Sequence, residues 1–265
     1  MKLQPKKSLG QHFLHDPNMI RKVAGALCAE PRDPVVEIGP GTGALTGRLA
    51  AHYDDFTAIE IDERAVAVLR EEHPNVDVRH TDILETDWSA LAREKGRALH
   101  VIGNLPYNIT SPILFSLLDA RDALSEAVLM MQREVAERLT VPPGNKRYGA
   151  PSVQVQLLAE PELLFRVSRH VFKPKPNVES AVVRLSFGED ANRTEGVEVA
   201  WLRTLVRAAF GQRRKMLRNS LRKWTKDQGI AFPNGWDRKR AEALSPEQFV
   251  ELARHLDEAG ARVNG

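Results

Sequence analysis

Short β-like runs recur along the first two thirds of the chain, with amphipathic stretches between them. The runs are Pro34–Ile38, Asp55–Ile61, Asn75–His80, Ala98–Gly103, Glu126–Met131, Pro161–Val167 and Ser180–Phe187. Intervening stretches such as ERAVAVLREEH and SPILFSLLDA carry apolar residues at helical spacing. Strand and helix alternating in this rhythm predict an α/β unit with a mainly parallel, doubly wound sheet. Ligands of such sheets bind at the carboxyl ends of the strands, so the residues closing each run are the candidate site.

The rhythm breaks at GEDANRTEG, residues 188–196, which reads as a polar linker. Beyond it Val206, Phe210, Leu217, Leu221 and Trp224 are spaced as on a helix, and Ser245 is placed to cap a helix over 246–259. The expected division is an α/β domain over residues 1–190 and a small helical domain over 191–265.

Composition narrows the class. At 265 residues, with 42% hydrophobic and 28% charged positions, the chain can bury a sizeable core. A single cysteine, Cys28, excludes an internal disulfide and points to a reducing compartment. No run reaches the length of a membrane span, and the N-terminal lysines have no apolar core behind them. A cytoplasmic protein is expected, with monomer as the default state and no metal site singled out.

Net charge is only +3, yet the segment Trp201–Lys226 holds nine Lys or Arg and no acid. Arg213, Arg214, Lys215, Arg218 and Arg222 are among them. A segment so unbalanced attracts polyanions, which favours nucleic-acid contact over a solvated helix face. The loop VPPGNKRYGAP, 141–151, offers Lys146 and Arg147 for RNA and Tyr148 for packing.

The chemistry gathers on the strand ends. VVEIGPGTGALT places Gly39, Gly41 and Gly43 between a strand and a helix, where glycines allow close approach to a ligand. Glu60 closes the second strand, where a carboxylate can accept both hydroxyls of a ribose. Asp82 closes the third, where it can accept from an adenine amine. Together they point to an adenosine-containing cofactor, with NAD and S-adenosylmethionine both compatible with the loop and the ribose acid. The fourth strand ends in Asn104-Leu105-Pro106-Tyr107. A nucleobase amine is a weak nucleophile, and methylating it requires acceptors that hold its hydrogens so that the lone pair faces the electrophile. The Asn104 side-chain oxygen and the Leu105 carbonyl supply two acceptors, Pro106 stiffens the turn, and Tyr107 offers a stacking face for an extruded base.

These stretches, with SLGQHFLHD, IEID, TDIL, VFKPKPNVESAVVRL and FGQRRKMLRNSL, make the chain resemble the ribosomal RNA adenine N6-dimethyltransferases. Within them the likeness is to the small-subunit (16S) kasugamycin-sensitivity dimethylases, and it covers nearly the whole chain. The resemblance implies a class I, Rossmann-like methyltransferase domain with a small helical domain. It implies S-adenosyl-L-methionine as cofactor, contacted by His12, Leu14, Gly39, Glu60, Asp82 and Asn104. It also implies catalytic roles for Asn104, Leu105 and Tyr107, and a Phe172 that sandwiches the target adenine with the tyrosine. The implied substrate is 16S rRNA within the assembling 30S subunit. Three rivals stand beside this reading: the large-subunit methylase that confers macrolide resistance, a nucleic-acid-binding factor on an inactive methyltransferase scaffold, and an NAD-dependent dehydrogenase, for which no hydride-accepting site is visible.

Overall fold

The computed structural model describes residues 4–6, 9–188, 191–226 and 229–261; Ser8 and linker positions 189–190 lie outside the described residues. Seven strands fall on the seven β-like runs: β1 Val35–Ile38, β2 Phe56–Glu60, β3 Asp77–His80, β4 Leu99–Asn104, β5 Leu124–Gln132, β6 Glu160–Val167 and β7 Ser180–Ser186. They form one sheet in the order β3-β2-β1-β4-β5-β7-β6. The pairings from β3 through β5 are parallel, and β7 runs antiparallel to β5.

Val35, Val36, Val101, Ile102 and Val128 are buried to 1% exposure or less. Strands covered on both faces have no polar side, which is why they read as continuous apolar runs rather than alternating ones. Asp16, Asp62 and Asp87 cap the helices Pro17–Ala24, Glu63–Glu72 and Trp88–Lys95, each accepting from a first-turn backbone N–H. Strand order reverses between β1 and β4, and the crevice at that switch point is where such sheets place ligands.

One element has no counterpart in the sequence pattern. Phe13–Leu14 pairs antiparallel with Phe172–Lys173 as a separate two-stranded ribbon. Strands of two residues are too short to show a period.

The chain divides into two compact units, Met1–Ala136 with Pro161–Gly188, and Glu137–Glu160 with Glu189–Gly265. The segment 137–160, assigned by pattern to the α/β domain, thus groups with the helical one. Its helix Ala150–Leu158 packs on the helices Val199–Gly211 and Pro246–Glu258. Tyr148 is fully buried and donates its hydroxyl to the Leu244 carbonyl at 3.0 Å, and burial pushes its pKa up. The helix after Ser245 forms as expected, with a capping box between Ser245 and Gln248.

The basic stretch is not one helix. The first helix ends at Gly211, Met216 makes an isolated bridge with Arg240, and only short turns, Leu217–Ser220 and Arg222–Trp224, follow. Gly211 is a poor helix former, and three consecutive cations, Arg213 to Lys215, give the backbone no reason to continue.

Candidate active site

Register brings the predicted strand ends level. Ile38 lies beside Ile59 on one side and Gly103 on the other, and Glu60 lies beside His80. Gly39, Glu60, Asp82 and Asn104 therefore meet along one crevice, lined also by residues 9–13 and by the Leu105–Ile109 turn.

Two glycines make this crevice possible. Gly41 has φ +56°, and a Cβ there would stand 2.8 Å from the Phe13 ring. Gly103 lets β4 close on β1, since its Cβ would meet the Ile38 carbonyl oxygen at 2.9 Å. The open turn sends the Gly41 N–H to Glu60 Oε2 at 2.9 Å, while the Asp62 N–H reaches Oε1 at 2.8 Å. Both carboxylate oxygens are thus anchored, and each retains lone-pair capacity for another donor. Burial raises the Glu60 pKa against these two hydrogen bonds.

Asp82 gives one oxygen to the Leu84 N–H at 2.9 Å, capping the single turn Ile83–Glu85. Ile61 and Leu84, both in the crevice lining, are 48% and 42% exposed in a protein whose other large apolar side chains are mostly covered. Two bare aliphatic side chains beside an acceptor carboxylate suit a flat heterocycle bearing an amine. The residues present therefore fit an adenosine moiety: Glu60 for the ribose, Asp82 for the amine, Ile61 and Leu84 for the ring faces. Neither aliphatic residue was assigned a role from the sequence, although they lie in the stretches IEID and TDIL.

The N-terminal segment is tied down beside Glu60. Asp62 accepts from Arg64 Nη2 at 2.7 Å, from Gln11 Nε2 at 3.2 Å and from Lys6 Nζ at 3.5 Å. The Arg64 guanidinium, foremost, holds the Asp62 carboxyl well below the usual range.

At the end of β4, Leu105 N–H donates to the Met130 carbonyl at 2.9 Å, and the Pro106 carbonyl accepts from Ile109 N–H and from the Thr110 hydroxyl. The turn is thereby fixed to the sheet and to the following helix. Asn104 donates from Nδ2 to the His12 carbonyl at 2.9 Å. A carbonyl can only accept, so the amide must present its NH2 to His12, and Oδ1 is left as the acceptor end.

Tyr107 is held at both ends. Its hydroxyl bonds Ser180 Oγ at 2.7 Å, and its ring stacks on His12 at 5.6 Å between centroids. Burial raises its pKa, partly offset by Ser180. His12 Nδ1 in turn lies 2.7 Å from the Pro174 carbonyl, so the ring carries its hydrogen there. Ser180 went unassigned in the sequence, although it lies inside the motif VESAVVRL.

Two predicted contacts are not brought to the crevice. Phe172, 3% exposed, and Leu14, 4% exposed, face each other across the ribbon and belong to the hydrophobic core. Both side chains are taken up by core packing, and neither is among the lining residues. The side chain opposite Tyr107 is His12, not Phe172.

The predicted RNA contacts divide as well. Lys146, Arg147, Arg213, Arg214, Lys215, Arg218 and Arg222 are all exposed, but two of them carry local bonds. Arg147 is paired with the nearly buried Glu137, and Arg213 bonds the Lys146 carbonyl and lies 3.1 Å from Glu242. These two arginines brace the loop 141–149 locally.

Comparison with known proteins follows this geometry. The profile of the family described as Ribosomal RNA adenine dimethylase matches residues 2–258. The chain is 61% identical over 254 residues to a Ribosomal RNA small subunit methyltransferase A of Salinibacter ruber, covering 96% of this chain and 86% of that one. A protein of the same name from Chlorobium chlorochromatii is 46% identical, covering 93% and 92%. Among solved structures, a dimethyladenosine transferase from Plasmodium falciparum superimposes with a TM-score of 0.78 at 25% identity, covering 94% and 98%. The 23S rRNA methyltransferase ErmE gives 0.68 at 28% identity, covering 92% and 99%. With the profile spanning residues 2–258 and a relative 61% identical over 96% of the chain, this chain belongs to the ribosomal RNA adenine dimethylase family.

Proposed function

We propose that the chain is the small-subunit dimethylase of its family, placing two methyl groups on each of two adjacent adenines in the 3′-terminal hairpin loop of 16S rRNA. The amide of Asn104, oriented by the His12 carbonyl so that its oxygen is the acceptor end, supports the amine chemistry, and the 61% identity to a Ribosomal RNA small subunit methyltransferase A supports the small-subunit assignment. When bound, S-adenosyl-L-methionine supplies an electrophilic methyl group. Glu60 and Asp82 hold its adenosine portion, with Ile61 and Leu84 against the ring, and Gly39 and Gly41 leave room at the turn.

The rest of the chemistry belongs to the turn 104–107. Asn104 Oδ1 and the Leu105 carbonyl accept the hydrogens of the adenine amine and turn its lone pair toward the methyl donor. Tyr107 stacks the extruded base, an interaction worth about 1–3 kcal/mol. No general base is required at the outset, because the amine loses its proton after it has become cationic. Positioning in a sheltered site is the main contribution. The exposed cations of the helical unit, Arg214, Lys215, Arg218 and Arg222 with Lys146, contact rRNA phosphates and make affinity salt-sensitive.

The substrate is presented in the assembling 30S subunit, and the chain acts as a cytoplasmic monomer. Among the described residues no helix is long and apolar enough to cross a membrane. The deciding assay is transfer of labelled methyl to undermethylated small subunits, followed by nuclease digestion and nucleoside chromatography. N6,N6-dimethyladenosine at about four methyls per subunit is the expected product, as the two-adenine stoichiometry requires. Label confined to large-subunit rRNA identifies the macrolide-type methylase instead. Cofactor binding with no transfer identifies a binding factor.

A further inference from the structure

The helical unit contains a pocket of about 570 Å³, a size that accommodates a small organic ligand. Arg218, Arg222 and Lys226 recur at every fourth residue along its lining, with Phe232 and Ile230 on the apolar side and Asn219 among the polar groups. The three cations are exposed, and Phe232 and Ile230 are half-buried. Arg218 and Lys226 make no ion pair among the described residues. Among the described lining residues the acid is Asp237, which lies 3.9 Å from Arg238.

This combination differs from the exposed pair Arg214–Lys215. A row of cations alone attracts any polyanion, duplex or single-stranded, because phosphates are common to both. Cations beside an aromatic ring in a concave site discriminate. A paired base is stacked inside its helix and cannot enter, whereas an unpaired base can lay its face on the ring while its phosphates meet the cations. Asn219 and Asp237 add an amide and an acceptor for the base edge. The loop carrying Phe232 is fastened from behind, since His255 Nε2 lies 2.7 Å from the Ala231 carbonyl. The ring is therefore presented by an anchored loop.

We propose that this pocket binds one unpaired ribonucleotide of the rRNA, base on Phe232 and phosphates on Arg218, Arg222 and Lys226, through residues none of which the methyl-transfer crevice shares. The proposal deepens the rRNA reading above and rests on it. It gives the helical unit a preference for single-stranded RNA that charge alone does not supply.

The test is fluorescence anisotropy of the full chain with a labelled, unstructured uridine oligoribonucleotide and, separately, a labelled RNA duplex of equal length. Phe232→Leu keeps an apolar side chain and removes the ring face. It is expected to weaken single-strand binding about tenfold and leave duplex binding unchanged. Arg218→Gln, at an exposed position that does not endanger folding, is expected to weaken the single strand more than the duplex. Replacing Arg214 and Lys215 by Gln should weaken both alike. In methyl transfer to small subunits, Phe232→Leu should raise KM with kcat unchanged. Single-strand affinity unaltered in both Phe232→Leu and Arg218→Gln overturns the pocket while leaving the dimethylase reading intact. If the unaltered chain binds neither RNA and methylates no subunit, both fall.

Discussion

The side-chain amide of Asn104 donates to the backbone carbonyl of His12, ninety-two positions earlier in the chain, at 2.9 Å. That bond leaves the amide oxygen as the acceptor end, and the first prediction rests on it. Asn104→Ala should abolish methyl transfer while S-adenosylmethionine binding by calorimetry remains measurable. Asn104→Asp is a sharper probe. It keeps an acceptor but sets a carboxylate against the His12 carbonyl, so transfer should also fall by orders of magnitude. Undiminished turnover in either variant removes Asn104 from the assigned role.

His12 stacks on Tyr107, so His12→Ala retains the carbonyl that orients Asn104 and loses only the ring. Turnover should drop about tenfold or more through a looser Tyr107, with cofactor affinity changed far less. Steady-state kinetics beside calorimetry separate the two. A loss confined to cofactor binding would show that the ring serves the cofactor rather than the base.

Gly41 combines a left-handed backbone with a Cβ position 2.8 Å from the Phe13 ring. Gly41→Ala should destabilise the fold by about 1–2 kcal/mol from the backbone alone. It should also weaken cofactor binding, since its N–H positions Glu60. Urea unfolding and calorimetry on the same preparation test both. Normal stability together with normal affinity would show that the turn relaxes without disturbing the carboxylate.

Glu37, on β1 two residues before Gly39, is buried and accepts from the Thr46 hydroxyl at 2.6 Å. Burial pushes its pKa from 4.5 to about 8. The folded protein thus holds this proton more tightly than the unfolded chain. The associated stability is complete below about pH 4.5 and is lost as pH rises toward 8. Relative to Glu37→Gln, the natural chain should lose up to about 1.4 kcal/mol per pH unit across that window. Urea melts of both proteins at several pH values measure the difference, and parallel profiles would falsify the assignment.

Arg147, Arg213, Arg214 and Lys215 are all exposed, but Arg147 and Arg213 are ion-paired to Glu137 and Glu242 within their own unit. Replacing Arg214 and Lys215 by Gln should reduce the slope of log affinity against log salt for small-subunit binding by roughly 1.5. Filter binding over a salt series reads it directly. An unchanged slope would make this pair a solvated corner of the surface.

The seven strands, their order of appearance and the acids at their ends were legible in the sequence because each is a local signal. A strand buried on both faces is mainly apolar, and a ligand-binding end is polar, so Ile59 beside Glu60 or Gly103 beside Asn104 announces itself. The capped helix after Ser245 is of the same kind. Only the tertiary structure decided the rest. It paired Phe13–Leu14 with Phe172–Lys173, buried Phe172 and Leu14 away from the crevice, and set His12 rather than Phe172 against Tyr107. It grouped the segment 137–160 with the helical unit and occupied Arg147 and Arg213 in local bonds. Each of these depends on which distant residues meet, and a phenylalanine or an arginine has the same local pattern whether it meets core, ligand or a neighbouring carboxylate.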